Sequence, residues 1–327
     1  MAGLTIMPLT ASYEPAEIIQ PGGRPIPAAL EPRMKLYYVP HGDMTLRVLH
    51  AVSPRANPRG SVIFSPGRTE FIEKYLETIT DFIERGFNVL VIDPRGQGLS
   101  DRLLEDRLKS YVDDFQDYAE DFGFVIKEFE PLLPKPHIVM GHSMGGLIVL
   151  QSVLTGVVNP SAVVCSAPML GLYDIDNHIM RWMFSCLARI GFKEKGLPFQ
   201  KQRNGLPVPF KINKLTSDKD RYGHWASYFQ TTPRLRLGQP TFGWIRAAIK
   251  SMSYVNRNAQ ELNIPCLVIA AGADPIVDPK SNETFAQASN SDFRVVPGAK
   301  HELFLERDIY RDQFFEFFEA FLEKHAL

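Results

Sequence analysis

The chain has 327 residues, 45% of them hydrophobic and 22% charged, with a formal net charge of -1. This length allows one large core, or a core carrying a substantial insertion, and the composition excludes wholesale disorder and a collagen-like repeat. Lys and Arg are spread along the chain and leave no electrostatic footprint for nucleic acid, while Cys165, Cys186 and Cys266 are too few and too far apart for a disulfide framework or a zinc site and fit a reducing compartment.

Residues 1–26 lack the cationic segment and apolar stretch of a secretory signal. Prolines at 15, 21, 25, 27 and 32 make this segment an arm laid over the surface, because each removes a ladder donor. No apolar stretch anywhere approaches the roughly 20 residues needed to span a bilayer. A cytoplasmic protein is expected, one that meets any lipid from the aqueous side or while resting on the inner membrane face.

From Met34 to Val52 two strand-like runs flank His41-Gly42-Asp43, which reads as a hairpin at the antiparallel edge of a sheet. Continuous apolar runs follow at Val62–Phe64, Val89–Ile92, Ile138–Met140, Ala162–Val164 and Leu267–Ala270. Runs without polar alternation belong to strands buried on both faces, the mark of a parallel sheet covered by helices. Helical patterns fall between them, at about Glu70 to Arg85, Ser110 to Phe129, Met144 to Leu154, Ser281 to Ala288 and Asp308 to Lys324. The last carries an apolar stripe of Phe314, Phe315, Phe318 and Leu322. The alternation makes the fold α/β with right-handed crossovers. It fails between about Gly171 and Asn256, where Trp182, Trp225, Trp244 and several prolines occur without a strand run. That stretch is read as a helical insertion, residues 171–256, in a core built from 1–170 and 257–327.

The main chemical signal is Gly141-His142-Ser143-Met144-Gly145, entered from a strand run and left into a helix pattern. G-x-S-x-G in this context is a sharp turn that lifts a serine hydroxyl clear of the sheet's C-terminal edge, and glycines two before and two after the serine avoid Cβ clashes. A serine hydroxyl needs a histidine to take its proton and a carboxylate to orient that histidine, and in this fold they follow in the order Ser, acid, His. Downstream lie His178, His224, His301 and His325. The first two fall in the insertion and His325 in the C-terminal turn, which leaves His301, just after Phe293–Val296 and Pro297-Gly298-Ala299. Asp274, at the end of the Leu267–Ala271 run, is favoured as the acid over Asp278, which is placed to cap the helix starting near Pro279. The oxyanion hole needs the N–H of Met144 and a second donor from the loop Ser65–Thr69, assigned to the main chain of Arg68. Asp93–Asp101 has two glycines after a strand but lacks the glycine spacing and the lysine of a phosphate loop, so it is read as a structural turn beside the site.

These residues resemble the α/β-hydrolase superfamily, and within it the bacterial lysophospholipase and monoacylglycerol lipase branch. The resemblance runs from about Met34 onward and is carried by Pro66-Gly67-Arg68 with Glu70 and Lys74-Tyr75, by Asp93–Asp101, by Gly141–Gly146, and by Gly298-Ala299-Lys300-His301-Glu302. Leu215–Asp218 with Arg221-Tyr222, and Pro240–Trp244, look like the lysophospholipase side. Monoacylglycerol lipases typically open the oxyanion loop with His-Gly, and here Ser65-Pro66-Gly67 stands instead. The resemblance implies an α/β-hydrolase fold, a triad of Ser143, Asp274 and His301, and hydrolysis of a lysophospholipid or monoacylglycerol ester through an acyl-enzyme, with no metal or organic cofactor. A small non-lipid ester, amide or thioester is the alternative substrate, and a binding protein that has lost catalysis is a third reading. The insertion is expected to cap Ser143, its Ile179-Met180, Met183-Phe184, Leu187 and Ile190 lining an acyl pocket, touching a membrane surface, or packing the cap onto the core.

Overall fold

The computed structural model describes residues 12–20, 25–173, 183–184, 187–196 and 204–327. The hairpin expected after Met34 is formed by β2 (Met34–His41) and β3 (Met44–Ala51), joined at Gly42, whose φ of 58° suits glycine. The proline-rich arm adds a two-residue edge strand, β1 (Glu14–Pro15), outside β2. The apolar runs become β4 (Gly60–Ser65), β5 (Phe87–Asp93), β6 (His137–His142), β7 (Ala162–Ser166) and β8 (Cys266–Ala271), with every residue of the first two and last two buried. β9 (Asp292–Val296) closes the far edge.

The sheet order is β1-β2-β3-β5-β4-β6-β7-β8-β9. β1, β2, β3 and β5 pair antiparallel, and all pairs from β5 to β9 are parallel. Alternate side chains feed two cores, one on each face of the sheet. Ile63, Leu90, Val139, Val163 and Val268 face one, and Val62, Val89, Val91, Ile138, Val164 and Leu267 face the other. The first face is covered by α2 (Phe115–Phe129) and α3 (Met144–Leu154), the second by α1 (Leu76–Glu84) and the C-terminal helix Asp308–Lys324, whose Phe314, Phe315, Phe318 and Leu322 are all buried as their spacing requires. Cys165 and Cys266, on the neighbouring strands β7 and β8, are free and buried, and Cys186 lies outside the described residues.

Two helices start later than their sequence pattern. The segment expected to be helical from Glu70 is a tight 3-10 turn over Ile72–Tyr75 before α1 begins, because the Ile72 N–H goes to Asp93 Oδ1 at 2.8 Å and not into a helix. The helix expected from Ser110 starts at Phe115. Ser110 is committed to the insertion through Ser110 N–H to Gln239 O at 3.1 Å and Thr241 N–H to Ser110 O at 3.0 Å, and Asp114 then caps Gln116 N–H at 3.1 Å.

In the stretch read as an insertion, the described residues form two long helices, α4 (Lys219–Thr231) and α5 (Phe242–Arg257), and no named strand. α5 packs into the first core beside α2 and α3. α4 builds a separate cluster in which Tyr222, Trp225, Tyr228 and Phe229 meet Phe71 and Leu305, residues that follow β4 and β9. The remaining helix, α6 (Pro279–Ala288), lies between β8 and β9, and the C-terminal helix is α7.

One buried cation ties the antiparallel edge to the rest. Arg47 on β3 is fully enclosed and donates from Nη1 to Asp93 Oδ2 at 3.2 Å and Glu73 Oε2 at 3.0 Å, and from Nη2 to Glu17 O at 2.6 Å. Burial works against its charge, but Glu73 and Asp93 outweigh burial and raise its pKa. Removing one member of such a cluster strands the others as buried charge. Arg47→Met should therefore lower stability by about 3–5 kcal/mol, read as a shift in the urea unfolding midpoint. A loss below about 1 kcal/mol would mean that Glu73 and Asp93 do not depend on the guanidinium.

Candidate active site

Ser143 stands between β6 and α3 with φ 52° and ψ -116°, a strained conformation for a residue with a side chain. Its backbone is pinned on both sides, with Ser143 N–H donating to Ser166 O at 3.0 Å and Ser143 O accepting from Met169 N–H at 2.9 Å. The flanking glycines are sterically required. A Cβ on Gly141 would come within 2.3 Å of the Gly145 backbone, and one on Gly145 within 1.9 Å of Ser65 O.

His301 Nε2 lies 2.9 Å from Ser143 Oγ, and its Nδ1 lies 2.6 Å from Asp274 Oδ2. All three side chains are buried. The other carboxylate oxygen of Asp274 accepts from Ile276 N–H at 2.8 Å and Val277 N–H at 3.0 Å, which fixes the acid just past β8. Asp278 does a different job: its side chain caps α6 by accepting from Lys280 N–H at 3.0 Å. Of the other downstream histidines, His325 meets Asp292 near the end of α7, His224 sits on α4, and His178 lies outside the described residues. Burial alone would lower the pKa of His301, but the Asp274 carboxylate overrides it and holds the imidazole above its ordinary value.

The loop after β4 approaches the serine turn through the Gly145–Ser65 contact. Within it the neighbours of Arg68 have committed main-chain donors, Gly67 N–H to Glu70 Oε2 and Thr69 N–H to Gln97 Oε1 at 3.3 Å. No acceptor among the described residues meets the N–H of Arg68 or Met144. Gln97 also donates to Gly67 O at 2.7 Å. The turn Asp93–Asp101 that carries it is tied down by Asp93, which accepts from Ile72 N–H at 2.8 Å and Leu99 N–H at 2.9 Å, and Gly98 passes so close that a Cβ would lie 2.2 Å from that carboxylate. The turn is structural, as read from its glycine spacing, and it buttresses the loop.

Behind His301 lies a buried polar cluster that the motif reading did not assign. Lys74 Nζ bridges Glu70 Oε1, at 2.6 Å, and Glu302 Oε2, and Glu70 Oε2 also accepts from Tyr75 Oη. Burial pushes both carboxyls up. At Glu70 the charge of Lys74 and the hydrogen bonds from Lys74 and Tyr75 prevail and hold it near 2, whereas Glu302 stays raised to about 7. His142, with its ring 4.9 Å from that of His301, is pushed down to about 3 by burial and stays neutral. Glu70, His142 and Glu302 place ligand-type atoms within 4.8 Å of one another, but Lys74 already supplies the cation between the carboxylates. The sequence carries little signal for this cluster, because Glu70 and Lys74 stand among Arg68, Glu73 and Glu77 and Glu302 follows Lys300-His301; only the i,i+4 spacing of Glu70 and Lys74 points to a pair.

The insertion is latched to the His301 loop. Glu302 N–H donates to Leu215 O at 2.9 Å, Thr216 Oγ1 to Leu305 O at 2.8 Å, and Glu306 accepts from both Ser217 N–H and Lys300 N–H at 3.0 Å. Arg221 spans Glu77, Asp218 and Asp308. The Leu215–Asp218 and Arg221-Tyr222 motifs thus join α4 to the core. Of the apolar stripe expected here, Phe184 is buried 5.9 Å from Phe242 and Met183 is exposed, while Ile179 and Met180 lie outside the described residues, as does the side chain of Ile190.

Residues 56–308 match the family model described as serine aminopeptidase S33. The chain is 30% identical over 283 residues to lysophospholipase L2 of Escherichia coli, covering 81% of this chain and 80% of that protein, and 25% identical over 269 residues to a monoacylglycerol lipase of Mycolicibacterium smegmatis, covering 80% and 88%. The fold is similar to that of a soluble variant of monoglyceride lipase from Saccharomyces cerevisiae, with a TM-score of 0.73 at 20% identity over 92% of this chain and 99% of that one.

An imidazole held by Asp274 must be neutral to accept the Ser143 proton, so reactivity is lost as pH falls through a pKa that is higher than usual. The rate at which a fluorophosphonate labels Ser143 should show an acid limb with its midpoint above about 6.5. Asp274→Asn removes the influence that raises the pKa and leaves burial, so the limb should move to lower pH while the rate at neutrality drops by about 10³–10⁴-fold. A limb that stays put in the variant would separate His301 from Asp274.

Proposed function

The chain belongs to the serine aminopeptidase S33 family and is a lipid ester hydrolase of α/β-hydrolase fold, and we propose that Ser143 is its nucleophile, His301 its general base and Asp274 the carboxylate that orients the base. The observation that carries this reading is the unbroken hydrogen-bonded chain from Ser143 Oγ through both nitrogens of His301 to Asp274. His301 Nε2 takes the hydroxyl proton as Oγ attacks the ester carbonyl. The resulting oxyanion is received by the main-chain N–H groups of Arg68 and Met144, which have no other acceptor among the described residues. On collapse the ester C–O bond breaks, the alcohol leaves with the proton from His301, and water repeats the sequence on the acyl-enzyme to release the fatty acid.

The substrate we assign is a lysophospholipid or a monoacylglycerol, the classes for which the relatives in Escherichia coli and Mycolicibacterium smegmatis are named. Residues 171–256 act as the cap, and the seat of α4 on Phe71 and Leu305 supports this, since both follow strands whose C-terminal ends face the serine. Contact with a lipid surface is assigned to the same segment. Tyr173, Met183, Phe192, Leu206 and Ile212 are exposed there, and no described helix is long and apolar enough to cross a membrane.

Hydrolysis of a lysophospholipid, a monoacylglycerol and esters of graded chain length by the purified protein and by Ser143→Ala tests the proposal. Turnover of the long-chain lipids is expected from the wild type, with a loss of at least about 10³-fold in the variant. Activity confined to short esters would remove the lipid assignment, and turnover that survives in Ser143→Ala would remove the nucleophile.

A further inference from the structure

Beside the loop after β4 lies a cavity of about 420 Å³ walled by Leu206, Val208, Leu215, Trp225 and Phe229 and reached by Arg68 and Lys214. Its lining includes no aspartate or glutamate. Arg68 differs from most of the other half-buried or buried arginines. Arg47, Arg59, Arg95, Arg221 and Arg311 each meet a carboxylate, whereas Arg68 donates only to a neutral carbonyl, Gly238 O at 2.9 Å, and lies 5.7 Å from the Trp244 ring. No acid among the described residues forms an ion pair with Arg68 or Lys214. Desolvation pulls the Arg68 pKa down with no carboxylate to offset it, which is the cost of holding a guanidinium without its anion.

We infer that Arg68, assisted by Lys214, binds the phosphodiester of a lysophospholipid and is the specificity residue that favours such a lipid over a neutral monoacylglycerol. The inference rests on the proposed lipid ester hydrolysis and refines its substrate. A guanidinium matches two phosphate oxygens through paired N–H donors, and a phosphate beside an apolar wall answers a cavity that offers cations and aliphatic surface together. The position is also right. The Arg68 main chain is assigned to the ester oxyanion, and the glycerol unit separates the phosphate from the ester by a few bonds, a span comparable to the arginine side chain itself. Leu206 and Ile212, exposed at the rim, continue the apolar wall outward for the rest of an amphiphile.

The test compares kcat/KM on lysophosphatidylcholine and on a monoacylglycerol of the same acyl chain for the wild type, Arg68→Gln, Arg68→Lys and Lys214→Gln. In Arg68→Gln the lysophospholipid-to-monoacylglycerol ratio should fall by about tenfold to a hundredfold, chiefly through KM, with partial recovery in Arg68→Lys and a smaller fall in Lys214→Gln. Equal losses on both lipids would mean that the Arg68 side chain serves only the loop, and an unchanged ratio would mean that it reads no phosphate; either overturns the inference. Lys214 lies outside the oxyanion loop, so its variant keeps the test available if Arg68→Gln does not fold. Glycerophosphocholine should inhibit monoacylglycerol hydrolysis by the wild type and do so more weakly in the variants. Equal inhibition by inorganic phosphate alone would replace the headgroup with a free-anion site, and no inhibition by either would also count against it. A wild type that turns over neither lipid would refute the hydrolase proposal itself, a result distinct from a ratio that fails to move.

Discussion

The site depends on one close approach, the Gly145 backbone against the carbonyl of Ser65, where a Cβ would lie 1.9 Å away. This contact brings the turn after β6 against the loop after β4, the two segments that carry the proposed oxyanion donors Met144 and Arg68. It also fixes the direction in which Ser143 emerges, because the strained φ of 52° is tolerated only while Ser166 O and Met169 N–H hold the peptide on both sides. His301 and Asp274 then need only reach that point from β9 and β8, three and two strands further along the same sheet edge.

The second layer of the site is electrostatic. Placing Glu70, Lys74 and Glu302 out of water behind an imidazole is costly unless each is paired, and Lys74 pairs both acids at once. Glu70 spends its remaining oxygen on Gly67 N–H and Tyr75 Oη, so the same ion that balances the charge near His301 also shapes the loop carrying Arg68. The neighbouring His142 stays neutral and adds no positive charge next to His301. Gln97 grips the loop from its other side.

Much of this was legible in the sequence because it rests on local rules. Uninterrupted apolar runs such as Val89–Ile92 point to strands covered on both faces, and G-x-S-x-G between a strand and a helix points to a sharp serine turn. Elimination among four histidines reached His301 because two of the others fall where no strand end can carry them. What was not legible depends on partners distant in sequence. Nothing local shows that Ile72 N–H will be taken by Asp93 or that Ser110 will pair with Thr241, so both helices were started too early. The choice of Asp274 over Asp278 followed from position at a strand end, and the structure adds the reason: one carboxylate is held by two main-chain donors against the imidazole, and the other is occupied at a helix start. Glu70 and Gln97 had been grouped in motifs without a role, because the work they do is visible only once β4 and β5 lie side by side.

The strand order has a consequence for how the molecule comes to exist. Ser143 follows the central strand β6, but Asp274 and His301 follow β8 and β9, which reach the sheet only after the long segment between Ser166 and Cys266 has been made. A chain emerging from the ribosome contains its serine turn well before it contains His301, and the latch from Glu302 N–H to Leu215 O closes only when that last portion arrives. Synthesis from the N-terminus therefore delivers the proposed nucleophile first and the residues proposed to activate it last, so that the hydrogen-bonded chain from Ser143 to Asp274 is completed only with the final portion of the molecule.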